Sequence, residues 1–505
     1  MNQTTVSGIE SSKRIAFNMV CSTAAHFLSA VIAFVLTPFL IAKVGLEAYG
    51  FYPIAGEVVA FFGLFTGVIN ATASRYITVE EARGKIEDAN RYFSTVFFSN
   101  VALCGVLLIP MGLFVGFVDR ILSMPPAMVS ELRIFFTLTL ASVIVNALAS
   151  AFGSAYSVSN RIDLRSAQDF IAILLKAAVL FGLLGGGYSS SIVSIGVAGL
   201  LANGTAAVIQ CLMCRRLAPD LVPRPSMVSR ACAKRVIASG FWYSLDRLGA
   251  FLMTGGLLVL STVIFTADGV GVYSISLTAS RFLSGVLLML AGVFLPITAK
   301  QFARGEHEKL CADVVRDQRI TGFFAAIGVA VGIGFCDEFF SLWLDGNDSL
   351  LLRALTILSI LPVVAIACAA PIVNLGMVMN RMRRLSLLFV GSGLLTLAVI
   401  VAVSCFTPAG VMGVAIISCA AQLVWYGGVV PLFASRILGA RPMTFYKPLI
   451  KSYLSCGLSV GLIFGVKSLF SIDSWIRFSV IGILCVVFCA VTGYVCVFGK
   501  AKLKM

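Results

Sequence analysis

The sequence predicts an all-α polytopic membrane protein with about 14 transmembrane helices. Of its 505 residues, 59% are hydrophobic and 12% are charged, and the mean hydropathy is +0.99. Such a chain has too little polar surface for a soluble globule, and its apolar runs of about twenty residues can cross a ~30 Å hydrocarbon core. Because no water is present there to satisfy backbone groups, these runs are predicted to be helices.

Fourteen apolar segments follow one another along the chain. The first is too long for the core of a signal peptide and lacks a convincing cleavage site, so we expect it to be a retained span. The candidate spans are 16–41, 48–72, 92–118, 132–155, 167–186, 190–212, 237–265, 270–298, 319–343, 351–378, 385–406, 409–431, 449–469 and 475–498.

Basic residues concentrate in alternate loops. The two termini and the loops that lead from even to odd spans hold 29 of the 38 Lys and Arg residues. The positive-inside rule therefore predicts that both termini lie in the cytoplasm, which agrees with an even number of spans. Basic loops beside an anionic leaflet also account for the formal charge of +15 without a nucleic-acid partner.

A weak internal repeat relates the two halves of the chain. It appears when the sequence is shifted by 224 positions, and it places one charge at the same depth of the second and eighth spans. The aligned pairs are Gly45 with Gly269, Tyr49 with Tyr273, and Glu57 with Arg281.

The repeat and the longest hydrophilic loop predict the domain organisation. Two six-helix lobes are expected to surround a central cavity, with two C-terminal helices outside the repeat. The predicted parts are an N-terminal lobe at 1–213, a cytoplasmic linker at 214–236, a C-terminal lobe at 237–431, and two additional spans with a basic tail at 432–505.

Six ionisable residues are predicted near the middle of their spans. Each lies roughly ten residues from the start of its span, which is about 15 Å at 1.5 Å per residue. An ionisable group at that depth is costly and usually faces a cavity or a charged partner, so the choice is between a transport path and structural ion pairs. The six are His26, Glu57, Lys176, Asp246, Arg247 and Arg281.

Charge balance suggests what a shared cavity would bind. Lys176, Arg247 and Arg281 outnumber Glu57 and Asp246 by one. A modestly cationic cavity suits a phosphate or diphosphate, because Arg presents several donors to phosphate oxygens. The two carboxylates are candidates for coupling transport to H⁺ or Na⁺.

For three of the candidate site residues, a purely structural role is an alternative to a functional one. A histidine ordinarily titrates near neutral pH, which makes His26 a candidate for proton binding, but a lone His in a packed span is often structural. Arg75 after span 2 and Lys300 after span 8 are predicted to meet lipid headgroups at the cytoplasmic mouth, unless they are only positive-inside anchors.

The fourteen cysteines lie mostly in apolar runs without a His cluster, so we expect them to be packing residues and to form neither a metal site nor a disulfide framework.

Three stretches carry a family resemblance: LTPFLIAKVGLEAYGFY at the end of span 1, SRYI at the end of span 2, and VYSISLTASRFLSGVLLMLAGVFLPITAKQFARG through span 8. With these stretches and fourteen spans joined by short outer loops, the chain resembles the lipid-linked oligosaccharide flippases, the O-antigen and capsule repeat-unit translocases of the MOP exporter superfamily.

The resemblance implies a fold, a substrate and a location. It implies two six-helix lobes and translocation of an undecaprenyl-diphosphate-linked oligosaccharide across the bacterial inner membrane by alternating access. The resemblance implies neither enzymatic activity nor a cofactor, although related transporters use ion gradients. It also implies that a polysaccharide polymerase and its chain-length machinery are partners. A cation-rich cavity in the family would suit Arg247, Arg281 and Lys176, but the cavity here is less cationic.

Three alternatives stay open. A multidrug and toxin extrusion transporter would usually have twelve spans and acidic cavity groups, whereas a peptidoglycan-precursor flippase also has fourteen. A membrane glycosyltransferase or polymerase would need a large extracytoplasmic loop with catalytic residues, and the outer loops here are short. The sequence has no Gly-rich loop ending in Lys-Ser/Thr, so direct use of ATP is not expected.

Overall fold

The computed structural model describes most of the chain. Two predicted site residues, His26 and Lys300, lie outside the described residues. The described residues are 21, 24–25, 27–29, 31–33, 35–122, 124–186, 191–264, 267–294, 298, 301–302, 305–343, 350–379, 381–406, 410–470 and 472–499.

These residues form helices joined by short connections, and no strand occurs among them. Their contacts group the chain into two compact units, Met1–Phe251 and Leu252–Met505. The lobe and linker boundaries derived from the sequence stay a prediction.

The described residues of the first unit form eight helices and most of a ninth. Short 3₁₀ turns at Pro126–Met128, Ser150–Gly153 and Pro225–Met227 and a π-helical turn at Phe181–Gly185 adjoin them. The helices are α1 (Phe27–Val44), α2 (Leu46–Ala82), α3 (Ile86–Gly116), α4 (Val118–Ile121), α5 (Val129–Ala149), α6 (Ser154–Val158), α7 (Ile162–Leu180), α8 (Val193–Leu217) and α9 (Arg230–Met253).

The second unit contains the remaining helices, with a π-helical turn at Leu423–Val429. They are α10 (Gly255–Ile264), α11 (Ala267–Gly292), α12 (His307–Gly334), α13 (Cys336–Trp343), α14 (Leu350–Ile360), α15 (Val363–Val378), α16 (Met382–Phe406), α17 (Gly410–Gln422), α18 (Val430–Leu438), α19 (Met443–Lys467) and α20 (Trp475–Phe498).

The helices confirm the predicted class of polytopic membrane protein. Twelve stretches of the described chain are long and apolar enough to cross a membrane, and two bent helix pairs raise the number to fourteen. The bends are 41° between α9 and α10 and 63° between α12 and α13. Both bent pairs coincide with segments that the sequence predicts as single spans.

The segment between α8 and α9 is pinned to α3 by buried side chains. The Asn90 amide oxygen accepts a hydrogen bond from Val222 N at 3.0 Å, and the Ser94 hydroxyl accepts one from Arg224 N at 3.0 Å. Thr95 accepts a third, from Ser229 N. Three backbone N–H groups of this connection are thus satisfied by polar side chains of α3, which fixes the start of α9.

In the second unit, α19 and α20 pack directly on α12. Glycines make the close approach possible, because a Cβ at Gly322 would collide with Ser452 and Cys368, and one at Gly334 would collide with Ile463. The two C-terminal spans are therefore part of the core of this unit.

Lys467, at the end of α19, stabilises the bend between α12 and α13. Its ammonium donates to the Gly334 carbonyl at 2.8 Å and pairs with Glu338 at 2.7 Å. Both side chains are more than four-fifths buried, with relative exposures of 14% and 19%. The cation thus meets the negative end of α12 and a carboxylate in the first turn of α13.

We expect Lys467→Ala to destabilise the second unit by about 3 kcal/mol, since it leaves the Glu338 carboxylate without its cation. Thermal unfolding of the purified protein in detergent measures the effect. Arg477→Ala is the matched control, because Arg477 pairs with Asp473 in an exposed i,i+4 bridge, and such bridges contribute about 0–1 kcal/mol. Equal melting temperatures for the two variants would contradict this account of the bend.

Candidate functional site

One face of α2 packs against α9 and defines the candidate site. Residues at spacings of three and four share this face. From one end to the other they are Glu57, Phe61, Phe65, Val68, Thr72 and Tyr76.

The two helices run antiparallel. The Phe61 and Phe251 ring centroids are 5.6 Å apart. Further along, a Cβ at Gly240 would overlap the Val68 carbonyl, and one at Gly67 would lie 3.2 Å from the Ser244 hydroxyl. We call the surface between these contacts the α2–α9 groove.

Arg247 lies in this groove. It falls between Ser244 and Phe251 on α9, and the register sets it level with Phe65 of α2. Its Nε donates to the Tyr243 hydroxyl at 3.2 Å, and its guanidinium carbon lies 5.2 Å from the Tyr243 ring centroid. The Arg247 side chain is nevertheless exposed. Tyr243 therefore contacts the cation from its own helix, and the Arg247 side chain stays exposed.

Partly exposed aromatic side chains line the groove on both helices. Phe61, Phe65 and Tyr243 have relative exposures of 37%, 44% and 41%, respectively. The Phe61 and Phe65 rings pack edge to face at 5.6 Å. The groove thus combines one oriented guanidinium with a broad apolar surface.

Lys176 forms a second cation–tyrosine pair. Its ammonium donates to the Tyr52 hydroxyl at 2.9 Å and lies 4.9 Å from the Tyr52 ring centroid. Both side chains are half-buried. At 100° per residue, Tyr52 projects about 140° around α2 from Glu57. The structure therefore places Lys176 against a different face of α2 from the groove, and its membership of one shared cavity stays a prediction.

The other predicted residues are placed as follows. Glu57 is half-buried on the groove face of α2, one helical turn before Phe61. Asp246 is half-buried on α9 and points away from the Arg247 direction by about 100°. Arg281 is exposed on α11 in the second unit, and Arg75 is exposed near the C-terminal end of α2.

The internal repeat has a structural counterpart in its two tyrosines. Tyr49 in α2 and Tyr273 in α11 are 3% and 2% exposed. Tyr49 donates to the Thr37 hydroxyl at 3.3 Å, and Tyr273 hydrogen-bonds to Ser418. Each tyrosine thus ties the charged helix of its half to a neighbouring helix.

Sequence reasoning missed Tyr52 and the groove phenylalanines. Tyr52 and Lys176 are 124 positions apart, and no periodicity links them. The Tyr243–Arg247 pair could be predicted from the sequence, because residues four apart on a helix are neighbours.

The chain is similar to known proteins in sequence and in fold. The family model described as "Polysaccharide biosynthesis protein" matches residues 15–302, which is more than half of the chain. The chain belongs to this family. The match covers all of α2 and α9 and therefore the whole α2–α9 groove.

One relative and two solved structures extend the comparison. The chain is 23% identical over 462 residues to the uncharacterized membrane protein EpsK of Bacillus subtilis strain 168, covering 92% of this chain and 91% of EpsK. The lipid II flippase MurJ, in an inward closed conformation, matches with a TM-score of 0.68 and 13% identity over 94% of this chain and 99% of MurJ.

An inward-facing multidrug resistance MATE transporter of the MOP superfamily matches with a TM-score of 0.67 and 15% identity, covering 83% of this chain and 94% of that one. The chain therefore has the fold seen in MurJ and in this MATE transporter.

We expect Tyr243→Phe to lower the apparent affinity of this protein for its substrate. The ring stays under the guanidinium, but the hydroxyl that fixes Nε is lost. A hydrogen bond to a charged group is worth about 1.5–3 kcal/mol, and a loss of 1.4 kcal/mol is about tenfold in affinity. The concentration dependence of transport measures this, with Tyr494→Phe on α20 as the control. A variant with unchanged affinity would contradict the positioning role of Tyr243.

Proposed function

We propose that the protein is a flippase that moves an undecaprenyl-diphosphate-linked oligosaccharide repeat unit across the bacterial inner membrane. The repeat unit would serve the synthesis of a surface polysaccharide such as O-antigen, capsule or exopolysaccharide. Both termini lie in the cytoplasm in this proposal, which follows the distribution of basic loops. Substrate would enter from the cytoplasmic leaflet and leave at the other leaflet by alternating access.

One observation carries the proposal: Arg247 is exposed in the α2–α9 groove while Tyr243 holds it in position. A guanidinium offers a planar fork of donors that fits two phosphate oxygens at once. A diphosphate that passes through an apolar membrane loses its hydration, and a fixed cation compensates for that loss by binding the phosphate charge. Arg281 supplies a second exposed Arg, from the charged helix of the other half.

The phenylalanines of the groove suit the lipid part of the same substrate. Phe61, Phe65 and Phe251 carry no hydrogen-bonding groups; Phe65 is level with Arg247, and Phe61 and Phe251 lie about one helical turn further along the groove. A prenyl chain attached to the diphosphate can cover this apolar surface without leaving a polar group unsatisfied. The groove therefore matches a ligand that joins an anionic group directly to a hydrocarbon chain.

Coupling to an ion gradient is part of the proposal. Glu57 lies on the groove face of α2, and Asp246 is half-buried beside Arg247 in α9. A carboxylate in a poorly hydrated place can take up H⁺ or Na⁺ when the substrate leaves. We propose Lys176 as a further substrate cation, His26 as a proton acceptor, and Arg75 and Lys300 as contacts for lipid headgroups. The polysaccharide polymerase and its chain-length machinery are the proposed partners.

The experiment is a leaflet assay in cells that lack the gene. A lectin added to the periplasm reports whether the sugar of the lipid-linked unit is exposed there. The proposal predicts that the unit accumulates on the cytoplasmic side and that re-expression of the protein restores its exposure. Unchanged exposure in the deleted strain would overturn the proposal.

The MOP fold is also that of the MATE transporter, which makes multidrug extrusion the second candidate. That candidate predicts unchanged sugar exposure together with greater drug sensitivity in the deleted strain. A block in lipid II instead of the repeat unit would identify a peptidoglycan-precursor flippase. Units that reach the periplasm and are not extended would point to a polymerase.

A further inference from the structure

Helices α12, α19 and α20 of the second unit meet closely at Gly493 of α20. A Cβ at this glycine would lie 3.0 Å from the Ser455 hydroxyl of α19 and 3.1 Å from the Phe323 ring of α12. The Phe323 ring also packs against Phe498 of α20, with 5.8 Å between the ring centroids. Residues one helical turn before Phe323 and Ser455 therefore lie beside this three-helix contact.

Helices α12 and α19 run in the same direction through the unit. Gly322 of α12 approaches Ser452 of α19, and further along both helices Gly334 approaches Ile463. The turns that precede the three-helix contact therefore lie at the same level on both helices. The proposed topology assigns that level to the cytoplasmic side of the membrane.

Cationic side chains occupy those preceding turns. Arg319 lies four residues before Phe323 on α12. Lys451 lies four residues before Ser455 on α19, and Lys447 lies one turn earlier still. Both lysines are exposed, whereas Arg319 is half-buried. We call these three cations the basic cluster.

Arg319 has no partner of its own. Its Nε is buried and makes no hydrogen bond, and no ion pair within the described part of the chain includes this arginine. Arg316, one turn away, instead pairs with Asp313 and Asp317 at 3.0 Å each. A buried donor is nearly always hydrogen-bonded, and a bound ion is one reason for an exception. Arg319 is therefore placed to receive an anion from outside the chain.

The C-terminal part of the chain adds almost no negative charge to this edge. From Arg436 to Met505 the sequence contains nine Lys and Arg residues but one acidic residue, Asp473. Asp473 lies in the connection at the opposite ends of α19 and α20, where it pairs with Arg477 at 2.7 Å. The basic cluster therefore complements an anionic partner.

Exposed leucines continue the face of α19 that carries the lysines. Leu454 and Leu458 follow Lys451 at helical spacing and are 58% and 52% exposed. A ligand that joins a phosphate to hydrocarbon chains can bind the cations and cover these leucines, whereas free phosphate reaches the cations alone. Basic pockets between membrane-spanning helices on the cytoplasmic side suit such headgroups.

We propose that Arg319, Lys447 and Lys451 bind the phosphate headgroup of an anionic phospholipid from the cytoplasmic leaflet. The cations lie at the starts of the predicted spans 319–343 and 449–469, which is the level of lipid headgroups. Arg319 donates to the phosphate oxygens from between the helices, and the two lysines add charge. The site uses no residue of the α2–α9 groove, so it does not depend on which substrate the protein moves.

Lipid binding to the purified, delipidated protein in detergent tests this site. Native mass spectrometry measures the fraction of protein that carries phosphatidylglycerol as the lipid concentration rises. Arg319→Gln should weaken this binding about tenfold or more, because a hydrogen bond to a charged group is lost. Arg436→Gln on α18 is the matched control, since it removes the same charge from an exposed arginine of the same unit. Equal affinities of the Arg319→Gln and Arg436→Gln proteins would overturn the site.

Lys451→Gln tests the cluster through an exposed residue, where folding is not at stake. It should also weaken phosphatidylglycerol binding. In the double variant with Arg319→Gln, the loss should differ from the sum of the two single losses, because both cations act on one headgroup. Strictly additive losses would contradict a shared headgroup.

Two other ligands identify what the cluster recognises. Phosphatidylcholine carries its own cation beside the phosphate, and inorganic phosphate has no acyl chain. Neither should displace phosphatidylglycerol at an equal concentration. Displacement by phosphatidylcholine would overturn the preference for an anionic lipid, and displacement by inorganic phosphate would overturn the role of the acyl chains.

Discussion

An Arg247→Ala protein should insert and fold normally yet move lipid-linked oligosaccharide at least about a hundredfold more slowly. Two hydrogen bonds from the guanidinium to a diphosphate contribute roughly 1.5–3 kcal/mol each, and 1.4 kcal/mol is tenfold. Folding is spared because Arg247 is exposed and hydrogen-bonds to Tyr243 of its own helix. Arg281→Ala should have the same effect.

Initial rates of transport per folded molecule measure both variants. Arg247→Lys keeps the charge but loses the planar fork of donors, so an intermediate rate is expected. Arg477→Ala is the control, because it removes an arginine from the edge of a predicted span, where its ion pair with Asp473 is exposed. Near-normal transport by both Arg247→Ala and Arg281→Ala would remove the groove as the substrate path.

Gly240→Ala is the second change with a large expected effect, and it acts on folding. The new Cβ would overlap the Val68 carbonyl, which is backbone and cannot turn aside. Overpacking of this kind costs about 1–3 kcal/mol, and here α9 must move away from α2 to relieve it. We expect a lower melting temperature and less folded protein in the membrane.

Gly112→Ala on α3 provides the comparison. A Cβ at Gly112 meets nothing within 4 Å, and alanine is the better helix former by about 1 kcal/mol. This variant should be as stable as the unchanged chain or more so. A Gly240→Ala protein with the same melting temperature as Gly112→Ala would contradict the close helix crossing.

The number and order of the spans could be predicted from the sequence because apolar length is a local property. The ends of the helices were harder to predict. Span 2 was predicted at 48–72, whereas α2 continues to Ala82. The residues SRYITVEEA are polar enough to leave the membrane, but nothing in them stops a helix. The break between α12 and α13 was missed for the opposite reason, since apolar character continues through Gly334 and Phe335.

Pairings between distant helices could not be read from one sequence. Gly240 and Val68 are ordinary residues until α2 and α9 are placed side by side. The Thr72–Ser239 contact spans 167 positions, and no motif connects the two residues. The ionisable residues were found because charge is unusual in an apolar run, but only the structure separates Arg247 in the groove from Lys176 on another face of α2.

The most direct measurement of the central claim uses the purified protein alone in liposomes. A lipid diphosphate carrying a short saccharide is placed in both leaflets, and a lectin outside the liposomes reports the accessible fraction. With the protein present, the account predicts that the accessible fraction rises from about half to nearly all as the lectin draws units outward, and that Arg247→Ala liposomes stay near half. An accessible fraction that stays near half with the unchanged protein would contradict the account.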